Sequence, residues 1–230
     1  MANFNTHLTA SVCLSSIASV CLYRIDMLTL NEAINLAMIG IAAGFIADTD
    51  SDNEAASALF FSLFGLIAAI VTLLNFTLSD YSILLNIIIF TTIYLGSRYG
   101  LAKLVPKLTQ RRGIFHSIPM AVALSFAVTL YCLHILKLEV EVAWFAGVYV
   151  FFNYLLHLIL DEVYAVDLAN NSYRLSYFSS IKLLNLKPWW PYLICYLLIT
   201  IMIYFLPSFE SLIKGPLALS NFESIWQHLV

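Results

Sequence analysis

The sequence predicts an all-α, polytopic transmembrane helical bundle of about seven membrane helices, and three observations carry that reading. Hydrophobic residues make up 61% of the 230 positions and charged residues only 11%, whereas a soluble domain carries about 25% charged residues. Mean hydropathy is +0.88, more apolar surface than a soluble fold of this size can hide. The apolar residues also fall into long segments spread from one end of the chain to the other, which leaves no stretch for a separate soluble domain. Lipid offers no water to backbone amides, so such a chain crosses as helix.

A crossing helix needs about 17 to 25 mostly apolar residues, and seven segments are candidates: 6–23, 33–47, 57–76, 82–97, 117–136, 142–160 and 190–207. The second and fourth are short, so re-entrant or tilted helices are alternatives there. The first lacks a basic leading region and an A-x-A cleavage site, and it reads as a retained helix instead of a signal peptide. The whole chain, 1–230, reads as a single integral membrane domain. Its motif-bearing part is 6–167, its last membrane helix is 190–207 and its tail is 208–230.

Seven crossings place the N-terminus and the linkers 48–56, 98–116 and 161–189 on one side. That side carries Arg98, Lys103, Lys107, Arg111, Arg112, Arg174, Lys182 and Lys187, against Arg24, Lys137 and Lys214 opposite. The excess of Lys and Arg predicts that the first set, with the N-terminus, is cytoplasmic. Residues 101–110 mix Lys103 and Lys107 with leucines and suit a short helix in the headgroup region, limited by Pro106. Tyr173, Tyr177, Phe178, Trp189 and Trp190 suit an interfacial aromatic belt.

A net charge of -3 without a basic stripe argues against nucleic acid as a partner. Cys13, Cys21, Cys132 and Cys195 lie in apolar segments without C-x-x-C spacing and read as small buried hydrophobes.

Ionisable groups in membrane helices are costly, about 2.5 to 3.5 kcal/mol for an Asp at the helix centre, so each demands a partner. Their positions here are informative. His7 opens the first helix, Asp48 and Asp50 close the second, His116 precedes the fifth, and His157 and Asp161 close the sixth. All six fall on the same predicted side. On the sixth helix Asn153, His157 and Asp161 follow at intervals of four, which keeps them broadly on one face. A divalent cation would offset the repulsion of converging carboxylates while neutral imidazoles add nitrogen ligands, and His with Asp suits zinc first, then manganese or iron. Asn153 is expected to support these ligands from behind. Arg111 and Arg112 stand just before a helix that begins at Ser117, a combination that favours an anionic oxygen such as phosphate and serves equally as positive-inside anchoring. His134 and His228 fall elsewhere by the same count, and Glu139, Glu141, Glu210 and Glu223 read as solvated charges on the far side. A His precedes an Asp across each of two helix pairs, a parallel read here as coincidence.

The motifs Thr6-His7, Ala47-Asp48-Thr49-Asp50, Arg111-Arg112-Gly113-Ile114-Phe115-His116-Ser117 and Leu156-His157 through Asp161 to Asp167 occur in that order over residues 6–167. In this the chain resembles the YdjM family of bacterial inner-membrane proteins, described as membrane-bound metal-dependent hydrolases. Arg111 stands where the family has its first His, Phe115 for Thr, Ala47 for Pro, and Tyr164-Ala165-Val166-Asp167 for the Thr-Pro-x-Gly turn. The resemblance implies His7, Asp48, Asp50, His116, His157 and Asp161 as metal ligands, and the His lost at Arg111 implies one metal ion fewer than the family binds. It also implies a multi-pass protein of the bacterial inner membrane. The family's distant similarity to zinc-dependent phospholipase C and nuclease P1 implies cleavage of a phosphate ester.

The leading expectation is therefore a metal-dependent hydrolase acting on a membrane lipid or lipid-linked phosphate at the cytoplasmic interface. Asp50 or Asp161 would act as general base, and Arg111 and Arg112 would hold the phosphate. A catalytically degenerate scaffold is the alternative. A transporter ranks third, because transport sites lie near the bilayer midplane and these groups sit at helix ends.

Overall fold

The computed structural model describes residues 4–44, 54–75, 82–103, 114, 116–165 and 189–210. Asp48, Asp50, Arg111, Arg112, Phe115, most of the 101–110 stretch and the aromatic segment before Trp189 lie outside the described residues.

Among the described residues there are seven α-helices and no strand. In chain order they are α1 (Phe4–Arg24), α2 (Leu30–Ala43), α3 (Glu54–Asn75), α4 (Ile83–Leu95), α5 (Ile118–His134), α6 (Val140–Ala165) and α7 (Trp190–Phe205). Each corresponds to one of the seven apolar segments. By length and composition three stretches can cross a membrane, Asn5–Arg24, Ile83–Gly100 and Val140–Tyr164, while the other apolar helices are shorter.

The fourth segment is longer than its hydropathy suggests. α4 continues without a break into a π-helical turn, Gly96–Leu101, which extends the apolar rod past Arg98. Gly65 of α3 makes room for it, since a Cβ there would press on Ser97 and on the Tyr94 carbonyl. Arg98 itself is tied to Ser62 of α3. The sixth helix also overruns its predicted end: α6 reaches Ala165, so Asp161 lies inside it instead of closing it.

Local chemistry sets the helix ends. Thr29 and Glu32 form a capping box at the start of α2: Thr29 Oγ1 accepts from the Glu32 amide at 3.3 Å, and the Glu32 carboxylate accepts from the Thr29 amide at 2.7 Å. Ser82 caps α4 through the Leu85 amide. The α1–α2 and α5–α6 hairpins each turn on a single non-glycine residue of positive φ, Asp26 and Lys137, both at 56°.

α6 is the central element. Of its membrane window 67% is buried inside the protein, against 22% for α1 and 11% for the α4 window. It packs against α1, α2 and α5. α7 lies outside α5, while α3 and then α4 extend the bundle beyond α2. The outer helices carry apolar side chains into the surroundings, among them Ile17 on α1, Ile83 and Leu84 on α4, and Leu193 and Leu197 on α7. Cys13 and Cys21 sit on this outer surface of α1 and are exposed, contrary to the expectation that all four cysteines are buried; Cys132 and Cys195 are buried. A thiol that avoids water need not avoid lipid.

Lipid is as apolar as leucine, so apolar contact alone does little to hold such helices together. Polar rungs and close approach do it instead. His7, Ser11, Ser15 and Ser19 recur every fourth residue down α1 and are all buried, facing Tyr149, Asn153, His157 and Asp161 of α6, equally buried. Ser19 Oγ donates to the Tyr149 hydroxyl at 3.1 Å and Ser15 Oγ to Asn153 Oδ1 at 3.1 Å. His7 Nε2 lies 3.2 Å from Asp161 Oδ1. Every four residues climbed on α1 descend four on α6, so one antiparallel register carries the whole seam. α2 joins it through Gly40 and Gly44, where a Cβ would collide with Ser15 and with Ser11 respectively.

Gly44→Ala is accordingly expected to destabilise the protein by about 1 to 3 kcal/mol through overpacking, read as a lower unfolding midpoint in detergent. Adding Ser11→Gly should restore most of the loss, because Ser11 supplies the colliding side-chain atoms.

Candidate metal centre

Four side chains from three parts of the chain meet where α1 begins, α5 begins and α6 approaches its end. His7 and Asp161 are 1% exposed, His157 1% and His116 2%. The seam carries His7 to Asp161, the i, i+4 spacing of α6 stacks His157 over the same carboxylate, and the turn before α5 brings in His116. That turn is fastened by Ser117, whose hydroxyl donates to the Ile114 carbonyl.

All three imidazoles point Nε2 at one carboxylate. The distances to Asp161 are 3.2 Å from His7, 3.5 Å from His116 and 3.7 Å from His157. Ligand atoms held about 2.0 to 2.1 Å from a tetrahedral ion lie about 3.3 to 3.4 Å apart, which falls within the same range. The ligand atoms of His7, His157 and Asp161 all lie within 4.8 Å of one another, and this buried group can hold a metal ion. The rings pack face to face in one pair and edge to face in the other: His7 and His157 stack at 3.8 Å between centroids, and His116 meets His157 at 5.9 Å and 65°.

The protonation of His157 follows from its other nitrogen. Nδ1 lies 2.8 Å from the Gly44 carbonyl, and a carbonyl only accepts, so Nδ1 carries the proton and donates it. In the neutral ring Nε2 then presents a lone pair to Asp161 Oδ2. Lone pair facing carboxylate is repulsive unless a positive charge sits between them, and backbone anchoring of the remote nitrogen is how metal-binding histidines are oriented. His7 Nδ1 is buried and has no hydrogen-bond partner among the described residues.

Of the residues singled out from sequence, the structure brings His7, His116, His157 and Asp161 together. Asn153 stands one turn from His157, but its amide is used elsewhere: Oδ1 accepts from Ser15 and Nδ2 donates to the Tyr149 carbonyl at 2.9 Å. It sets the α1–α6 register. The group that orients His157 is the Gly44 backbone, which no side-chain motif reveals. The serines at 11, 15 and 19 were legible as a four-residue stripe continuing from His7, and Gly40 with Gly44 as a small-xxx-small pair. His134 is exposed at the C-terminal end of α5, away from the cluster.

No protein-family model, no curated protein and no solved structure matches this chain.

Titrating the metal-stripped protein with a divalent cation should show tight binding, and Asp161→Ala should weaken it at least about 100-fold, since it removes the one charged ligand the imidazoles share. Ser15→Ala, two turns away along the seam, should leave the affinity within about threefold. Calorimetry in detergent measures both.

Proposed function

We propose that this protein is a membrane-embedded, metal-dependent hydrolase that cleaves a phosphate ester of a membrane lipid or lipid-linked substrate. The observation that carries the proposal is the convergence of three imidazole Nε2 atoms on the buried Asp161 carboxylate at one end of the bundle. Neutral imidazoles with a single carboxylate form a donor set that zinc favours, and manganese or iron accepts it. A bound divalent ion would supply a Lewis acid for charge developing on oxygen and would lower the pKa of water.

The chain's own residues divide the remaining work. Asp161 is engaged by His7, His116 and His157, which leaves Asp50 as the better general base and Asp48 as a further ligand. Arg111 and Arg112, five and four residues before His116 in the chain, would hold the phosphate by charge-assisted hydrogen bonds. These four enter through sequence position and through the resemblance to the YdjM proteins, whose membership belongs to the same proposal. So do the bacterial inner membrane and a cytoplasmic N-terminus, suggested by the lysine and arginine excess of the linkers on that side.

One observation favours a second reading. His7, His157 and Asp161 form one compact donor group, His116 borders the same carboxylate, and all four are buried; closed sites are structural, whereas catalytic ones keep a position open. The ion would then clasp α1 to α5 and α6 in a scaffold protein.

Elemental analysis of purified protein, paired with turnover of phospholipid and lipid-linked phosphates in detergent, separates these readings. The hydrolase reading expects bound metal, below a tenth of it in His157→Ala, and phosphate release. Arg111→Ala with Arg112→Ala should keep the metal and lower turnover about 10- to 100-fold. Metal-loaded protein without turnover, but with a lower unfolding midpoint after chelation, would establish the clasp. Protein purified intact and without metal would refute both.

A further inference from the structure

The π-helical turn that continues α4, Gly96–Leu101, decides which way two cations point. The Ala102 amide bonds to the Ser97 carbonyl five residues back, so on this stretch positions five apart stand one above the other. Both members of that pair face the bundle, since Ser97 is buried and Ala102 packs against Ala42 and Phe61. Arg98 and Lys103, each one residue further on, therefore leave the rod on the same side. A plain α-helix would set them about 140° apart. Arg98 donates to Ser62 of α3, and its Cζ lies 5.4 Å from the centre of the exposed Tyr99 ring; Lys103 is exposed. No carboxylate among the described residues pairs with either cation. Single π turns within helices are rare and frequently mark functional sites.

We infer that this turn binds the phosphate of an anionic membrane phospholipid. Two like charges held on one side of a helix repel unless an anion lies between them, and phosphate accepts from a guanidinium fork and an ammonium together. A lipid is the source at hand. Arg98 lies near the end of the Ile83–Gly100 stretch that can cross a membrane, at the depth of headgroups, and Tyr99 beside it has the amphipathic ring that favours this level. Towards the membrane interior α4 exposes Leu95 and Ile88, an apolar face along which an acyl chain can run. Positive-inside anchoring accounts for the number of charges and is indifferent to their alignment. The turn is at the end of the bundle that holds the histidine cluster, because Leu8, next to His7, and Ala102 pack against the same pair, Ala42 and Phe61. The lipid site uses none of the histidines and stands whether or not the protein is a hydrolase.

The test titrates the full-length, delipidated protein in detergent with phosphatidylglycerol and with phosphatidylcholine of the same acyl chains, read by native mass spectrometry. Phosphatidylglycerol is expected to bind at least about tenfold tighter, the scale of two cations beside an anionic headgroup. Arg98→Gln with Lys103→Gln should lower it to the phosphatidylcholine level. The decisive variant is Lys103→Gln with Gly100→Lys, which keeps the net charge and moves the ammonium to another side of the turn, into open space; it should lose the preference as well. Unchanged circular dichroism and elution volume show that the variants fold. On wild type alone, a phosphatidylglycerol with a photoreactive headgroup should label the peptides holding Ser62 and Tyr99. A relocated variant that keeps the full preference overturns the inference and leaves charge count as the cause. So does wild type without a preference, or labelling confined to other peptides. Displacement of phosphatidylglycerol by inorganic phosphate would overturn it in favour of a free phosphate.

Discussion

A carboxylate removed from water is the constraint around which one end of this protein is built. Desolvating such an ion costs several kcal/mol even after relaxation, and Asp161 is 1% exposed inside a largely apolar bundle. Its two oxygens are surrounded by imidazoles from α1, from the turn before α5 and from its own helix. Each of those elements must therefore arrive at one place. The antiparallel register of α1 on α6, the fastened turn at Ile114 to Ser117 and the close approach of α2 at Gly44 all serve that meeting.

The seam shows how the meeting is achieved where apolar burial contributes little between helices. Interhelical hydrogen bonds in membranes contribute about 0.6 to 2 kcal/mol each, and α1 is held to α6 by Ser15 on Asn153, Ser19 on Tyr149 and His7 on Asp161. Small residues at 40 and 44 let α2 come close enough for a backbone carbonyl to reach His157. Structure and site thus share one set of contacts, and the tautomer of His157 is a consequence of helix packing.

Much of this was legible in the residues. Seven apolar segments became seven helices because hydropathy reports lipid compatibility directly. His157 and Asp161 stood out because two polar groups at helical spacing in an apolar stretch need partners. The α4 extension was hidden by Arg98, whose charge lowers local hydropathy although its guanidinium donates to Ser62 of α3. The exposure of Cys13 and Cys21 was hidden for a different reason: in a bilayer an apolar residue is at home on either face of a helix, so hydrophobicity does not separate core from surface. Gly44 was invisible as a ligand-orienting group because its contribution is a carbonyl that every residue possesses.

The buried group of His7, His157 and Asp161, brought together by the α1–α6 register with His116 beside the same carboxylate, can hold a divalent cation. X-ray absorption spectroscopy of zinc-loaded protein tests it directly. The result required is a first shell containing imidazole nitrogen at about 2.0 to 2.1 Å, with the outer-ring scattering of histidine and the loss of part of it in His157→Ala. A shell of oxygen alone, or one unchanged by His157→Ala, would contradict it.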